Sequence, residues 1–420
     1  MLTSKSNLLE EVRNRFAHVD TCPVDGPRVF FENAGGALTL KSVVETSTHY
    51  AAIPDNQGRD NPASKSLMDV IAKARTDAKT FLNASSGQVF LGESGTELLF
   101  RMISNAILET PEGGNVIGST LEHPASRSAA IRWAKVAKKD YVAVPHNDDT
   151  GSVEAEDYAQ YVTPQTRVAT IIHTSPVTGM GVDVEAISKT IRSISPDCLI
   201  IVDGIQHAAH GGLDVDSYNI DGYAISPYKV FSRHGYGVAW ISDRLTALPH
   251  DSLIDGPEGN WELGTRDTGA YATFSDVVDY FGWLGSQFSE SDDLRTRIEA
   301  ASQAIHAHEK NLTDAMLHGT NNLRGLAQIS EVNIIGGIDN PRREGLVALN
   351  IDGMEAGELV EKLRNQGIRV HIRKADHYSG NILNPLGLPS CVRVSMCHYN
   401  SEQEVAQFLT AIRDIVASTR

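Results

Sequence analysis

Asp203 and Lys229 are the residues whose type and placement invite chemistry. The run Leu199 to Val202 is continuously apolar, as in a buried parallel strand, and hands over directly to Asp203-Gly204. A second apolar run, Tyr223 to Ile225, leads into Ser226-Pro227-Tyr228-Lys229. An acid and an amine are thus presented at strand ends, where open α/β sheets bind ligands. A buried amine is easier to deprotonate, as an imine-forming nucleophile requires. Pyridoxal phosphate is the cofactor that needs this pair: a lysine for its Schiff base and a carboxylate to keep its pyridine nitrogen protonated, so that the ring can act as an electron sink. Singly, a lysine is usually a solvated surface charge and Asp-Gly after a strand is usually a turn or a cap. It is the combination that selects the chemistry.

Several other residues fit around that pair. Gln206 follows Asp203 in the same turn and can reach the cofactor's phenolic oxygen. Ser94-Gly95-Thr96 precedes a helix and offers backbone N–H groups, a hydroxyl and the positive helix end, the makings of a phosphate site. Ser226 and His207 can add hydrogen bonds to the same phosphate. His123, in Leu121-Glu122-His123-Pro124-Ala125, stands just beyond a strand end, where a flat imidazole can stack on a pyridine ring. Arg393 lies between Val392 and Val394 in a strand, and its guanidinium fork matches a substrate carboxylate; the plainer reading is a salt bridge on an edge strand.

The elements that must position these groups alternate strand with helix. Strands are predicted at Val29 to Phe31, Val89 to Leu91, Asn115 to Gly118, Tyr141 to Val144, Val168 to His173 and Cys198 to Val202. Helices are predicted over Leu40 to Ala52, Ser66 to Leu82, Glu97 to Leu108 and from about Ala125 to Lys138, with an exposed loop from Pro54 to Ser66. This alternation implies a mostly parallel sheet with crossovers, an α/β fold. Two long helical segments, Thr273 to Gln287 and Arg295 to Leu317, connect to an α+β unit with strands Leu346 to Ile351, Ile368 to Ile372 and Cys391 to Ser395. Helices Gly353 to Gln366 and Ser401 to Ala417 complete it, the latter with Ser401 and Glu404 spaced as a capping box. We expect a large cofactor-binding domain over 20–290 and a smaller one made of 1–19 and 291–420.

Composition narrows the partners. The 420 residues are 41% hydrophobic and 21% charged, ordinary for a globular chain large enough for two cores. The formal charge of -16, from 53 acidic and 37 basic residues, argues against nucleic acid or an anionic membrane as partner. The first twenty residues carry Glu10, Glu11 and Asp20 without an apolar run, and no window approaches the ~18 apolar residues of a membrane span, so the expectation is a cytoplasmic protein. The four cysteines, Cys22, Cys198, Cys391 and Cys397, form no CxxC pair; neither a disulfide framework nor a metal site is expected. No strand leads into a GxGxxG turn, which removes a nicotinamide enzyme from consideration.

Taken in order, Glu-His-Pro-Ala, Val-Asp-Gly-Ile-Gln-His, Ser-Pro-Tyr-Lys, Glu-Leu-Gly-Thr and Val-Arg-Val-Ser resemble the class V aminotransferase superfamily of fold-type I pyridoxal-phosphate enzymes, cysteine desulfurase-like branch. The resemblance runs from about Val29 to the C-terminus. It implies Lys229 as Schiff-base lysine, Asp203 at the pyridine nitrogen, Gln206 at the ring oxygen, His123 stacked on the ring, and Gly95, Thr96 and Ser226 on the phosphate. It further implies a homodimer in which Gly264 and Thr265 reach the partner's cofactor phosphate, with Arg393 anchoring the substrate carboxylate and Asn33 beside it.

Three departures bear on the reaction. Tyr228 stands before the lysine where the desulfurases have histidine, and Pro176 stands where they place an asparagine. The stretch Arg369 to Gly380 has no cysteine where the family's nucleophile would fall, near Tyr378. It carries cations instead, among them Arg373 and His377, which read equally as a basic surface turn or as recognition of an acidic side chain. The reading is therefore a lyase or transferase that cleaves a bond at the β-carbon of a small amino acid, acidic ones included, through an enamine, as in release of carbon dioxide or sulfite, with an aldehyde as optional co-substrate. Transamination, epimerisation, or desulfuration through a non-standard cysteine are the alternatives.

Overall fold

The computed structural model describes residues 2, 5, 7–320 and 322–419. Its larger sheet has seven strands among the described residues: β1 Gln88–Gly92, β2 Asn115–Ser119, β3 Asp140–Val144, β4 Thr166–Ile172, β5 Leu199–Asp203, β6 Gly222–Ile225 and β7 Gly237–Ile241. They lie in the order β1-β7-β6-β5-β4-β2-β3. All run parallel except β7, which is antiparallel to both neighbours. Sequence reading did not mark β7, a buried Gly-Val-Ala-Trp-Ile run.

Both faces of this sheet are covered, which is why its strands read as unbroken apolar runs rather than as an alternation. Ile200 and Val202 of β5 join one cluster and Leu199 and Ile201 the other, as the two-residue strand period requires. The first cluster takes Phe81 from the helix Pro62–Leu82 and Phe274, Val277 and Phe281 from Thr268–Ser286. The second takes Leu98, Leu99 and Met102 from Gly95–Leu108. The loop expected from Pro54 to Ser66 is shorter, because Asn61 caps a helix that starts at Pro62, accepting from Ser64 N at 2.8 Å.

A second, antiparallel sheet has the order β8-β9-β11-β10, with β8 Val332–Ile334, β9 Leu346–Ile351, β10 His371–Lys374 and β11 Ser390–Ser395. The single strand expected over Ile368 to Ile372 is split. Ile368–Arg369 pairs in parallel with Val29–Phe30, and β10 then pairs with β11, which sets His371 opposite Arg393 and Arg373 opposite Cys391.

The helix Leu294–His318 ties the two sheets together. Its first half places Ile298, Ala301 and Ile305 in the large-sheet core, and its end places Leu312 and Met316 in the core of the second sheet. The N-terminal segment is shared as well: Leu8, Val12 and Phe16, expected with the smaller unit, pack in the large-sheet cluster, while Val29 and Phe31 enter the other. No helix among the described residues is long and apolar enough to cross a membrane.

Where Thr268–Ser286 meets the first turn of Leu294–His318, a Cβ on Gly285 would come within 1.8 Å of Arg297 O. Gly285→Ala must therefore push the two helices apart. It is expected to cost about 1–3 kcal/mol as overpacking, seen as a lower unfolding midpoint in denaturant.

Candidate active site

Asp203 is the last residue of β5, and Lys229 closes the short turn Pro227–Lys229 after the adjacent β6. Two residues on, Phe231 holds a left-handed backbone at φ 64° although it is not glycine. Its fully buried ring is fixed against Phe16 and His398, at centroid distances of 5.4 and 4.9 Å. That packing keeps a backbone conformation costing roughly 1–2 kcal/mol, and so fixes where Lys229 emerges.

Two adjoining cavities meet at Lys229. The smaller, about 50 Å³, is lined by Thr96, His123, Asp203, Gln206, Ser226 and Lys229, among others. The larger, about 530 Å³, shares His123, Pro176, Tyr228 and Lys229 with it and opens toward Arg373 and Arg393. Lys229 Nζ donates to Gln206 Oε1 at 3.1 Å. Burial pushes this amine down to about 7; the Arg393 guanidinium adds to the effect and the Asp203 carboxylate opposes it. Burial pushes Asp203 up to about 6, against the hydrogen bond from Ile205 N and the charge of Lys229, so it is largely ionised at neutral pH.

The residues fit pyridoxal phosphate. Asp203 Oδ1 accepts from Ile205 N at 3.1 Å, whereas Oδ2 has no partner among the described residues and is free for a protonated pyridine nitrogen. The start of the helix Gly95–Leu108 is pressed onto Ser226: a Cβ on Gly95 would lie 2.4 Å from Ser226 Oγ and 2.6 Å from Ile205 Cδ1. A larger residue there would have to displace both side chains, so glycine lets the helix N-terminus, Thr96 and Ser226 gather at the small cavity. His123 caps the next helix by accepting from Ala125 N at 3.2 Å. Burial, reinforced by Lys229, Arg373 and Arg127, pushes its imidazole down to about 3, so its ring is neutral.

The larger cavity is cationic. Arg393 Nη1 donates to Pro176 O at 2.9 Å, and its Nε is buried without a partner. Arg373 Nε donates to Ser379 Oγ at 2.9 Å. Neither arginine forms an ion pair among the described residues, and Glu32, also in the wall, is engaged with His371 at 3.3 Å. Burial, and the neighbouring Arg373, push Arg393 down to about 9, still charged at neutral pH.

Not every expected residue arrives. Asn33 is buried outside both cavities: its amide nitrogen donates to Ser395 O at 2.8 Å and its oxygen accepts from Tyr399 OH, so Ala34 and Gly35 form the wall instead. His377 is exposed, tilted against Tyr378 at 4.1 Å, and it is Tyr378 that lines the cavity. Gly264 and Thr265 are exposed and line neither cavity. His207 turns away from the phosphate end, stacked on His173 at 3.5 Å and bonded to Glu344 at 2.8 Å. Tyr228, whose ring stacks on His234 at 4.3 Å, lines both cavities. The half-buried Glu344 and the buried Glu309 carry no motif that sequence reading could mark.

The family described as Aminotransferase class-V matches this chain over residues 29–408. The chain belongs to that family. It is accordingly a pyridoxal-phosphate enzyme of the class V type. An aminotransferase-like protein of Gibberella zeae is 25% identical over 99% of this chain and 100% of its own length. A cysteine desulfurase-like protein of Aspergillus flavus is 25% identical over 97% of this chain and 90% of that protein. The apo structure of a cysteine desulfurase from Thermococcus onnurineus NA1 has a TM-score of 0.81 at 20% identity, covering 97% of this chain and 98% of that one. The shared architecture is fold-type I.

With its amine near 7, Lys229 is neutral between about pH 8 and about pH 10, where an exposed lysine is still charged. Uptake of pyridoxal phosphate by the apoprotein, followed by visible absorbance, should therefore accelerate between about pH 6 and about pH 8 and then level off. A rate still climbing at about pH 10 would show an ordinary solvated lysine.

Proposed function

We propose that this enzyme cleaves a bond at the β-carbon of a small amino acid bearing an acidic side chain. The observation that carries this reading is the pair of guanidiniums, Arg373 and Arg393, which line the cavity of Lys229 and form no ion pair among the described residues, although the carboxylates of Glu32 and Asp376 share its wall. Arg393 is buried and Arg373 half-buried, where a cation without an ion-pair partner is costly, and a ligand with two anionic groups compensates both.

In this reading Lys229 attaches the cofactor, Asp203 faces its pyridine nitrogen, Gln206 its ring oxygen and His123 its ring face, with Gly95, Thr96 and Ser226 at the phosphate. When bound, the cofactor supplies an electron sink. Arg393 holds the substrate's α-carboxylate and Arg373 its acidic side chain. The Lys229 amine, with a pKa near 7, can take up and return a proton at neutral pH. Neutral His123 presents a ring rather than a second cation. Aspartate would then yield alanine and carbon dioxide, and cysteine sulfinate alanine and sulfite; an aldehyde as second substrate would yield a hydroxy amino acid. The exposed Gly264 and Thr265, away from this chain's own cavities, suit a homodimer in which they serve the partner's cofactor.

The state of the thiols supports chemistry without a sulfur-accepting cysteine. No cysteine lines either cavity among the described residues. Burial pushes Cys198 and Cys391 up to about 12 and holds Cys397 well above the ordinary thiol range. Cys22, whose thiol is lowered by the Val24 and Asp25 N–H groups, sits in the outlying hairpin Thr21–Cys22.

The test is a screen of single amino acids, with and without added aldehydes, read by mass spectrometry. Alanine with carbon dioxide or sulfite, or an aldehyde adduct, is expected; keto acid or inverted stereochemistry would mean transamination or epimerisation. Lys229→Ala should be colourless beside a yellow parent, and a parent unable to hold pyridoxal phosphate would end the reading. Arg373→Leu should lower kcat/KM for acidic substrates by roughly 10- to 150-fold, the worth of one hydrogen bond to a charged group.

A further inference from the structure

Behind Lys229 a line of buried polar groups runs through Gln206 to His210 and Glu309, two residues that the proposed reaction does not use. Gln206 Oε1 accepts from Lys229 Nζ at 3.1 Å, and Gln206 Nε2 lies 3.4 Å from His210 Nε2. His210 Nδ1 in turn lies 2.8 Å from Glu309 Oε2. Gln206 and His210 belong to the turn after β5, whereas Glu309 comes from Leu294–His318, the helix that spans the two sheets. All three are buried. Gly345 packs beside the pair, where a Cβ would stand 3.2 Å from Glu309 Oε2 and 3.6 Å from His210 Nδ1.

An amide has one donating and one accepting end, so the protons on His210 decide which end of Gln206 turns to Lys229. With a single proton, on Nδ1 and given to Glu309, His210 accepts at Nε2 from the amide nitrogen. The amide oxygen then faces Lys229, as it does here. With protons on both nitrogens, His210 donates from Nε2, and the amide turns its nitrogen toward Lys229, the end required to donate to an anionic ring oxygen. Glu309 makes this second state accessible. Burial disfavours a charged His210, but the Glu309 carboxylate outweighs it, with Glu344 adding to the effect and Lys229 opposing it. Cys397 and His398 are the other titratable groups beside it, both uncharged: burial holds the thiol far up and the imidazole far down.

We propose that Glu309 and His210 are positioning residues that orient the Gln206 amide and thereby set the acidity of the cofactor joined to Lys229. This rests on the reading that Lys229 carries pyridoxal phosphate, and it assigns work to two residues that line neither cavity.

The test is a pH titration of the visible absorption band of the holoenzyme, which reports the protonation of the bound cofactor independently of turnover. Parent, Glu309→Gln and Gln206→Leu are compared, with circular dichroism and cofactor content confirming that each is folded and loaded. A donor at the ring oxygen favours its ionised form, so losing it raises the midpoint. Glu309→Gln should move the midpoint upward by about one pH unit, tenfold in proton affinity, in the direction of Gln206→Leu. A loaded Glu309→Gln that titrates with the parent overturns the proposal. Should that variant not fold, the double variant His210→Phe/Glu309→Leu, which replaces the pair with apolar groups, is read by the same criterion. Failure of both to fold makes the pair a structural support and also overturns it. A parent with no visible band is a different result, which removes the cofactor reading and this proposal with it.

Discussion

Exclusion of water from the Lys229 amine is the constraint on which the rest of the site depends. An amine near 7 exists only where the surrounding protein withholds the solvation that would keep it charged. That requires the end of β6 to be closed by the buried Phe231, by the turn after β5 and by the helix start at Gly95. The same exclusion raises Asp203 and neutralises His123, so one cavity holds a carboxylate, a neutral imidazole and a titratable amine together. Each of these states is ordinary once burial is granted and improbable in water.

The cations come from elsewhere. Arg373 and Arg393 stand on adjacent strands of the second sheet, brought over Lys229 by a unit whose core is separate from that of the large sheet. Recognition and cofactor attachment therefore sit on different layers, joined by the helix Leu294–His318 and by the N-terminal segment that contributes Val29 and Phe31 to one core and Phe16 to the other. Glu344 and Glu309, both in the C-terminal half of the chain, grip His207 and His210 of the turn after β5. The turn that carries Gln206 is thus registered against the sheet that carries the arginines.

Much of this was legible beforehand where the signal is local. Strands buried on both faces read as apolar runs, so the alternation of strand and helix and the placement of Asp203 and Lys229 at strand ends were accessible from the residue order. Errors arose within segments that had been located correctly. Asn33 and His377 each lie within a few residues of side chains that do line the cavity, Ala34 and Gly35 in one case and Tyr378 and Arg373 in the other. Both residues lie in turns, Asn33 after Val29–Phe30 and His377 after His371–Lys374, where no two-residue strand period marks which side chain faces inward.

By itself the sequence determined the sheet, the ends of its strands and the acid and amine placed there, because burial and backbone period leave their mark on neighbouring residues. Only the tertiary structure decided which charges meet. The contact of His210 with Glu309 joins residues 99 positions apart, and that of Arg393 with Pro176 joins residues 217 apart. No periodicity connects such pairs. They exist because one long helix and one separate sheet dock against the turn that holds the lysine.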